Sequence, residues 1–185
     1  MTTLSVTHVI ERLIRLLTNE AYSEGLNPTQ WEVLRYLAKA NRFSRTPGAL
    51  RAYLGITKGT ISQTVTALVR KGFVSKTHDQ RDKRIIQLAL TEAGHTVLQN
   101  DPLHKLEQAI HGMTDTHRAQ LSETTQQVLV TMLEARGGHP FGACKTCKYF
   151  TEVHANGAPH FCGLLNTPLT TQDSQHICVE QIGAL

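Results

Sequence analysis

LGITKGTISQTVTALVRKGFVSKTHDQRDKRIIQLAL, running from Leu54 to Leu90, decides the fold. Gly55 stops one short helix, and Thr57 caps the next after a turn of only a few residues. Ile61, Val65, Leu68 and Val69 fall on one face of that second helix. Lys58, Gly59, Thr60, Ser62, Gln63, Thr66 and Arg70 fall on the other. Two short helices joined by a tight glycine-bearing turn describe a helix-turn-helix, and equally any helical hairpin. The continuation separates the two. Gly72 ends the helix, Phe73-Val74-Ser75-Lys76 reads as a strand, and His78 to Arg84 form a polar tip. Ile86, Leu88 and Leu90 then alternate as a returning strand. A β-hairpin placed directly after a helix-turn-helix is a wing.

Helices flank this unit on both sides. Leu4, Val6, Val9, Ile10, Leu13, Ile14, Leu16 and Leu17 recur at helical spacing over residues 4–22. Asn27 caps a second helix, with Pro28 at its first position and Gln30 completing a capping box; Trp31, Val33, Leu34 and Leu37 supply its buried face. Thr46-Pro47 repeats the cap-plus-proline signal and opens the short helix that ends at Leu54. After the wing, Thr91 caps a further helix carrying Val97 and Leu98. Asp101-Pro102 kinks or restarts it, because proline removes a backbone donor. Leu103, Leu106, Ile110 and Met113 keep the period, and a last helix near 115–135 uses Leu121, Val128, Leu129, Met132 and Leu133. The terminal helices are more apolar than a monomer of residues 1–136 needs, which points to a dimer.

Charge is distributed unevenly. The 185 residues sum to +4, yet residues 41–84 hold ten Lys and Arg against only Asp79 and Asp82, a net +8. Residues 137–185 sum to −1. Duplex DNA is bound chiefly through cations that displace its counterions, and the basic segment is the one expected to form helix-turn-helix plus wing. Small groups at Thr57, Gly59, Thr60 and Ser62 allow close approach to a major groove. Lys58 and Gln63 can reach base edges, while Thr64, Thr66 and Arg70 suit phosphates. Arg81 and Lys83 at the tip suit a minor groove. Asp79 and Asp82 are expected to hold Arg84 or Arg81 in place.

From Asn27 to Leu98 the chain resembles the MarR family of winged-helix transcription regulators. NPTQWEVLRYL, LGITKGTISQTVTALVRKGFV, the wing DQRDKR and LALTEAGHTVL carry the likeness. The resemblance implies a homodimer, joined through the first helix and the last two, that binds palindromic double-stranded DNA operators. It implies Thr57 to Thr66 as recognition helix and Arg81 or Lys83 as the minor-groove contact. Pro102 departs from the family, in which the corresponding helix is usually uninterrupted.

Members of that family commonly end near the last helix, so residues 137–185 are additional. They hold all four cysteines, Cys144, Cys147, Cys162 and Cys178, separated by 2, 14 and 15 residues. Disulfides are disfavoured in a reducing cytosol, and four thiols so close in sequence read as a metal site. Zinc commonly uses two close CxxC-type pairs, and only one is present here. A cubane iron–sulfur cluster accepts ligands from separated loops, and Phe141, Tyr149, Phe150 and Phe161 flank the ligands closely. CKTCKYF and CGLL are similar to the corresponding stretches of high-potential iron–sulfur proteins, although Val179-Glu180 stand where that family often has a tryptophan. This second resemblance implies that each cysteine binds one iron of a [4Fe-4S] cluster; zinc is the alternative. His139, His154, His160 and His176 are assigned surface or supporting roles, since four thiolates suffice.

The expectation is therefore a mainly α winged helix-turn-helix dimer with a small β-wing (residues 1–136) and a small irregular cysteine-ligated module (residues 137–185). No apolar stretch approaches the roughly 20 residues a membrane helix needs, and Glu11, Arg12 and Arg15 interrupt any signal peptide, so a cytoplasmic protein is expected. Its function would be a DNA-binding regulator, a repressor by type, whose cluster senses redox state, oxygen or iron. The alternative is a structural zinc site with a small aromatic effector held between the dimer helix and the winged domain. An enzyme or electron carrier is disfavoured, because no nucleophile–base constellation stands out and a basic winged helix would be superfluous to it.

Overall fold

The computed structural model describes residues 4–79, 82–139, 141–152 and 159–183. Side-chain caps begin most of the longer helices, as short polar residues do when they satisfy orphan backbone N–H groups. Ser5 opens α1 (Val6–Glu20), Asn27 with Gln30 closes the capping box of α2 (Pro28–Lys39), and Thr46 opens α3 (Pro47–Leu54). Thr57 opens α4 (Lys58–Arg70) and Thr91 opens α5 (Glu92–Val97). Gly55 ends α3 in the left-handed conformation, φ 65°, a conformation glycine adopts without steric cost. The turn to α4 is thereby as tight as its sequence indicated.

The core lies on α2. Trp31, Leu34, Tyr36 and Leu37 are buried there, together with Leu50 of α3 and Ile61, Val65 and Leu68 of α4. Two antiparallel strands, β1 (Val74–His78) and β2 (Ile86–Leu90), pair from Val74↔Leu90 to His78↔Ile86 and form the wing. Val74 and Leu88 close the core from below. A further backbone bond, Leu88 N–H to Arg45 O at 2.8 Å, ties the wing to the α2–α3 connector.

Asp101-Pro102 restarts the chain instead of kinking it. A single 3-10 turn (Leu98–Asn100) follows α5, and α6 (His104–His111) begins afresh before α7 (Asp115–Glu134). The restart is anchored by an ion pair. Arg35 Nε and Nη2 donate to the two carboxylate oxygens of Asp101 at 2.7 and 2.6 Å, and Leu103 N–H adds a third bond at 2.8 Å. Burial raises the Asp101 carboxyl, but the Arg35 bonds outweigh it and hold it below the usual carboxylate range.

Neither α1 nor α7 contributes a buried residue. Val6, Val9, Ile10, Leu13, Ile14 and Leu16 of α1 are exposed, as are Val128, Leu129 and Met132 of α7. Among the described residues no helix is long and apolar enough to cross a membrane.

Beyond α7 the chain forms short strands. β3 (Gly142–Ala143) pairs with β7 (Ile177–Cys178), and β4 (Phe150–Glu152), β5 (His160–Cys162) and β6 (Thr167–Leu169) form an antiparallel meander. The short helix α8 (Thr171–Gln175), with its own capping box, separates them. This module packs on its own chain. Ile177 bridges Ala40 in parallel, and Phe43 joins the small apolar cluster of Cys144, Leu169 and Cys178.

Two outcomes follow for stability. Asp101→Asn weakens the Arg35 pair and is expected to cost about 2 kcal/mol at pH 7, measured by urea denaturation. Because the folded carboxyl is depressed, wild type holds this advantage above the unfolded value near ~4 and loses it as pH falls through the folded one. The two curves therefore converge in acid. A Cβ on Gly94 would stand 2.2 Å from the Phe73 carbonyl oxygen. Gly94→Ala must then push α5 off the wing's base, lowering stability by about 1–3 kcal/mol in the same assay.

Candidate functional site

Two surfaces carry chemistry. The first is the outer face of α4. Its inner face is fixed by buried Ile61, Val65 and Leu68, so helical periodicity turns Thr57, Lys58, Thr60, Ser62, Gln63, Thr66 and Arg70 outward, and all seven are exposed. Thr57 and Thr60 are not free hydroxyls. Thr60 N–H donates to Thr57 Oγ1 at 3.2 Å, and the two hydroxyls bond each other at 2.9 Å. That ties the first turn of α4 into a fixed shape while leaving Lys58, Ser62 and Gln63 unencumbered by it.

Beside this face lies a groove of about 250 Å³ between α3, α4 and the wing. Arg51, Lys58 and Lys76 line it, over a floor that includes Pro47, Ile61 and Val65. Arg51 and Lys76 were legible only as part of the +8 balance. The structure adds them to the site.

The balance itself divides. Arg42 turns the other way: its Nη2 donates to Pro168 O at 2.6 Å and its Nη1 lies 3.4 Å from Asp173, both in the cysteine module. Lys71 reaches the Gly25 carbonyl and Gln30. In the wing, Asp82 holds Arg84 through Nε and Nη2 at 3.0 and 2.9 Å, as the sequence led one to expect of this acid. The Arg84 bonds draw the Asp82 carboxyl down, and Asp82 draws the Arg84 guanidinium up. Arg84 is thus a paired cation at the base of the tip. Lys83 is exposed, and its carbonyl meets His78 Nδ1 at 2.7 Å. Arg81 lies outside the described residues.

The second surface is a cleft lined by all four thiols, Cys144, Cys147, Cys162 and Cys178. Tyr149, Phe150, Leu164 and Leu169 form its apolar walls, exposed Glu180 stands among its lining residues, and the cavity they leave is small, about 10 Å³. Local turns present the sulfurs. Cys144 to Thr146 form a single 3-10 turn closed by Cys147 N–H to Cys144 O at 2.9 Å, and Leu165 N–H approaches Cys162 Sγ at 3.5 Å. Among the described residues, no group of three or more His, Cys, Asp and Glu is gathered as it would be around a metal ion. The thiols ring a cleft without converging on one point. All four are free of disulfides. Cys144 and Cys178 share a hydrogen bond. The Cys144 thiol draws Cys178 down to about 6 against the opposing effect of burial, with help from Asn41, the Glu180 backbone and Ser44, while Cys144 is pushed up by that same bond and by burial. The pair therefore favours one thiolate.

The cleft is bolted to the winged helix through residues 40–45. Asn41 Nδ2 donates to Cys144 Sγ at 3.1 Å, Asn41 N–H to Ile177 O at 2.9 Å, and Val179 N–H to Ser44 Oγ at 2.8 Å. Nothing in the sequence marked Asn41 or Ser44, since neither belongs to a motif.

A third cavity of about 290 Å³ lies between α2, α3 and Leu103, just ahead of α6, where Glu32, Arg35, Tyr36 and Tyr53 meet. Tyr53 packs on Tyr36 and on Phe141, at centroid distances of 4.8 and 5.3 Å. Burial pushes the Tyr36, Tyr53 and Glu32 side chains up, the last offset in part by Arg35.

Comparison with known proteins agrees with this geometry. Residues 24–85 match the MarR family. Transcriptional repressor MprA of Escherichia coli (strain K12) is 26% identical over 125 residues, covering 66% of this chain and 71% of the repressor. HTH-type transcriptional repressor YetL of Bacillus subtilis (strain 168) is 29% identical over 96 residues, covering 52% and 58%. In structure, the S. aureus MepR–DNA complex superposes with a TM-score of 0.58 at 17% identity, covering 70% of this chain and 99% of MepR. Streptococcus pneumoniae FabT in complex with DNA gives 0.57 at 20%, covering 70% and 94%. Likeness at such low identity establishes the fold, and the family match stops well short of Cys144. Residues 24–85, the stretch similar to the MarR family, lie within a winged helix-turn-helix fold.

Proposed function

We propose that this protein is a cytoplasmic, homodimeric DNA-binding transcription repressor whose four-thiol cleft holds a [4Fe-4S] cluster and so reports redox state, oxygen or iron supply. The observation that carries it is the connection of residues 40–45, which touch the thiols on one side and the wing on the other. The exposed apolar faces of α1 and α7 supply the dimer contact, since large exposed apolar patches mark interaction sites. Pairing through them would set two α4 helices about 34 Å apart, on successive major grooves of a palindromic operator. The relatives named as repressors support the sign of the effect.

On DNA, Lys58, Ser62 and Gln63 would face base edges while Thr57 and Thr60 hold the helix end. Thr66 and Arg70 would meet phosphate. Lys83 and Arg81 would enter the flanking minor groove, with Arg84 kept in place by Asp82.

What supports the cluster is the donor set: four thiols line one cleft whose walls are aromatic and aliphatic side chains. When bound, the cluster supplies a one-electron couple and a site open to attack by oxygen. The chain's own part is to hold four sulfurs in position and to pass any shift of them to Asn41 and Ser44. A change in DNA affinity requires that the two DNA-reading arrangements interact differently with the loaded cleft. The cavity between α2, α3 and Leu103 supports a second input, a small aromatic effector against Tyr36 and Tyr53 with Glu32 and Arg35 in reach.

Anaerobically purified protein is expected to be brown, with about four iron and four sulfide per chain as a complete cubane requires. Colourless protein with stoichiometric zinc would replace the cluster by a structural ion. Gel-shift titrations on the protein's own promoter should give different affinities for loaded, oxidised and stripped protein; three equal affinities would sink the sensing role and leave DNA binding intact. In the same assay Lys58→Ala should cost about 1–3 kcal/mol and relax sequence preference. Arg70→Ala should weaken all sequences alike and lower the salt slope by about one.

A further inference from the structure

We infer that Asn41 is a positioning residue of the thiol cleft, one that sets the reduction potential of the group bound there and links it to the DNA-reading half; this rests on the [4Fe-4S] reading of the cleft. Asn41 is 0% exposed, and its side chain has no surplus capacity to hide. Its Oδ1 accepts from Phe43 N–H at 3.1 Å and Ser44 N–H at 2.9 Å. Only an oxygen can accept those two bonds, so the amide orientation is fixed and Nδ2 must face Cys144 Sγ, 3.1 Å away.

The two ends of the amide serve different purposes. The connector's turn needs only the acceptor, which Asp supplies as well and Ser more weakly in such turns. The donor does nothing for the turn. Its partner is a sulfur 103 residues further along the chain.

An N–H directed at a ligating thiolate withdraws electron density from the sulfur and stabilises the more negative state of a cluster, raising its potential. By linkage, the strength of that bond depends on the cluster's charge, and whatever it does to Asn41 it does to the connector. Ser44 is the next anchor, with Tyr36 Oη donating to its carbonyl at 2.8 Å. Arg45 follows, and its carbonyl holds Leu88 N–H in the wing. The path from sulfur to wing is five residues of buried or backbone hydrogen bonding.

The experiment uses full-length protein, purified anaerobically, as wild type, Asn41→Asp and Asn41→Ser. Both variants keep an acceptor for the turn and lose the amide N–H directed at sulfur. Midpoint potentials are read from visible absorption during titration with dithionite and ferricyanide, and folding from thermal melts. Both variants should titrate below wild type, Asn41→Asp further because it adds a negative charge. In both, the ratio of DNA affinities between oxidised and reduced protein should shrink toward one. Unmoved midpoints in cluster-bearing variants would overturn the role of Asn41 alone; wild-type protein without iron would overturn it together with the cluster. A measurement on the native chain guards against variants that do not fold. With 15N-asparagine labelling, pulsed electron paramagnetic resonance of the paramagnetic cluster state should show a nitrogen coupling, and its absence would equally overturn the assignment.

Discussion

Asn41 and Ser44 are polar and wholly buried where the cysteine module meets the winged helix. Burial of that kind is tolerated only when every donor and acceptor finds a partner. The requirement shapes both halves of the molecule. The connector must turn back on itself to feed the Asn41 carbonyl oxygen, Tyr36 must present its hydroxyl to Ser44, and the chain end must bring Cys144, Ile177 and Val179 to the remaining groups. Remove the cysteine module and two anchors of the winged helix lose their partners. Remove the connector and the module has no floor.

The winged helix was legible in the sequence because its signals are local. Caps at Asn27, Thr46, Thr57 and Thr91, stops at Gly55 and Gly72, and alternation through Ile86, Leu88 and Leu90 each operate within a few residues. Periodicity alone turned Lys58, Ser62, Gln63 and Arg70 outward. The restart at Asp101 was harder to read, because what decides between kink and restart is Arg35, 66 residues away.

The cysteine half was opaque as architecture. Four thiols in 35 residues announced a common site, and they do line one cleft. Which surface the module would sit on depended on contacts separated by 103 to 135 residues, and no local pattern encodes these. Net charge misled in one respect for the same reason. Arg42 counts toward the basic segment in any sum over residues 41–84, yet it serves the module through Pro168 and Asp173. Charge in sequence is a total, whereas a site depends on the direction in which each charge points.

The docking of the chain's end on its early connector also orders events during synthesis. A ribosome delivers the α2–α4 core and the wing before Cys144 emerges, and domains generally fold from the N-terminal side as they appear. The buried core needs nothing from residues beyond Leu98 to close, apart from the edge contacts of Ile177 and Val179. The winged helix can thus close while the amide of Asn41 still faces water. The cysteines arrive last, onto a template already formed, and the winged helix shapes the cleft before the cleft can influence it.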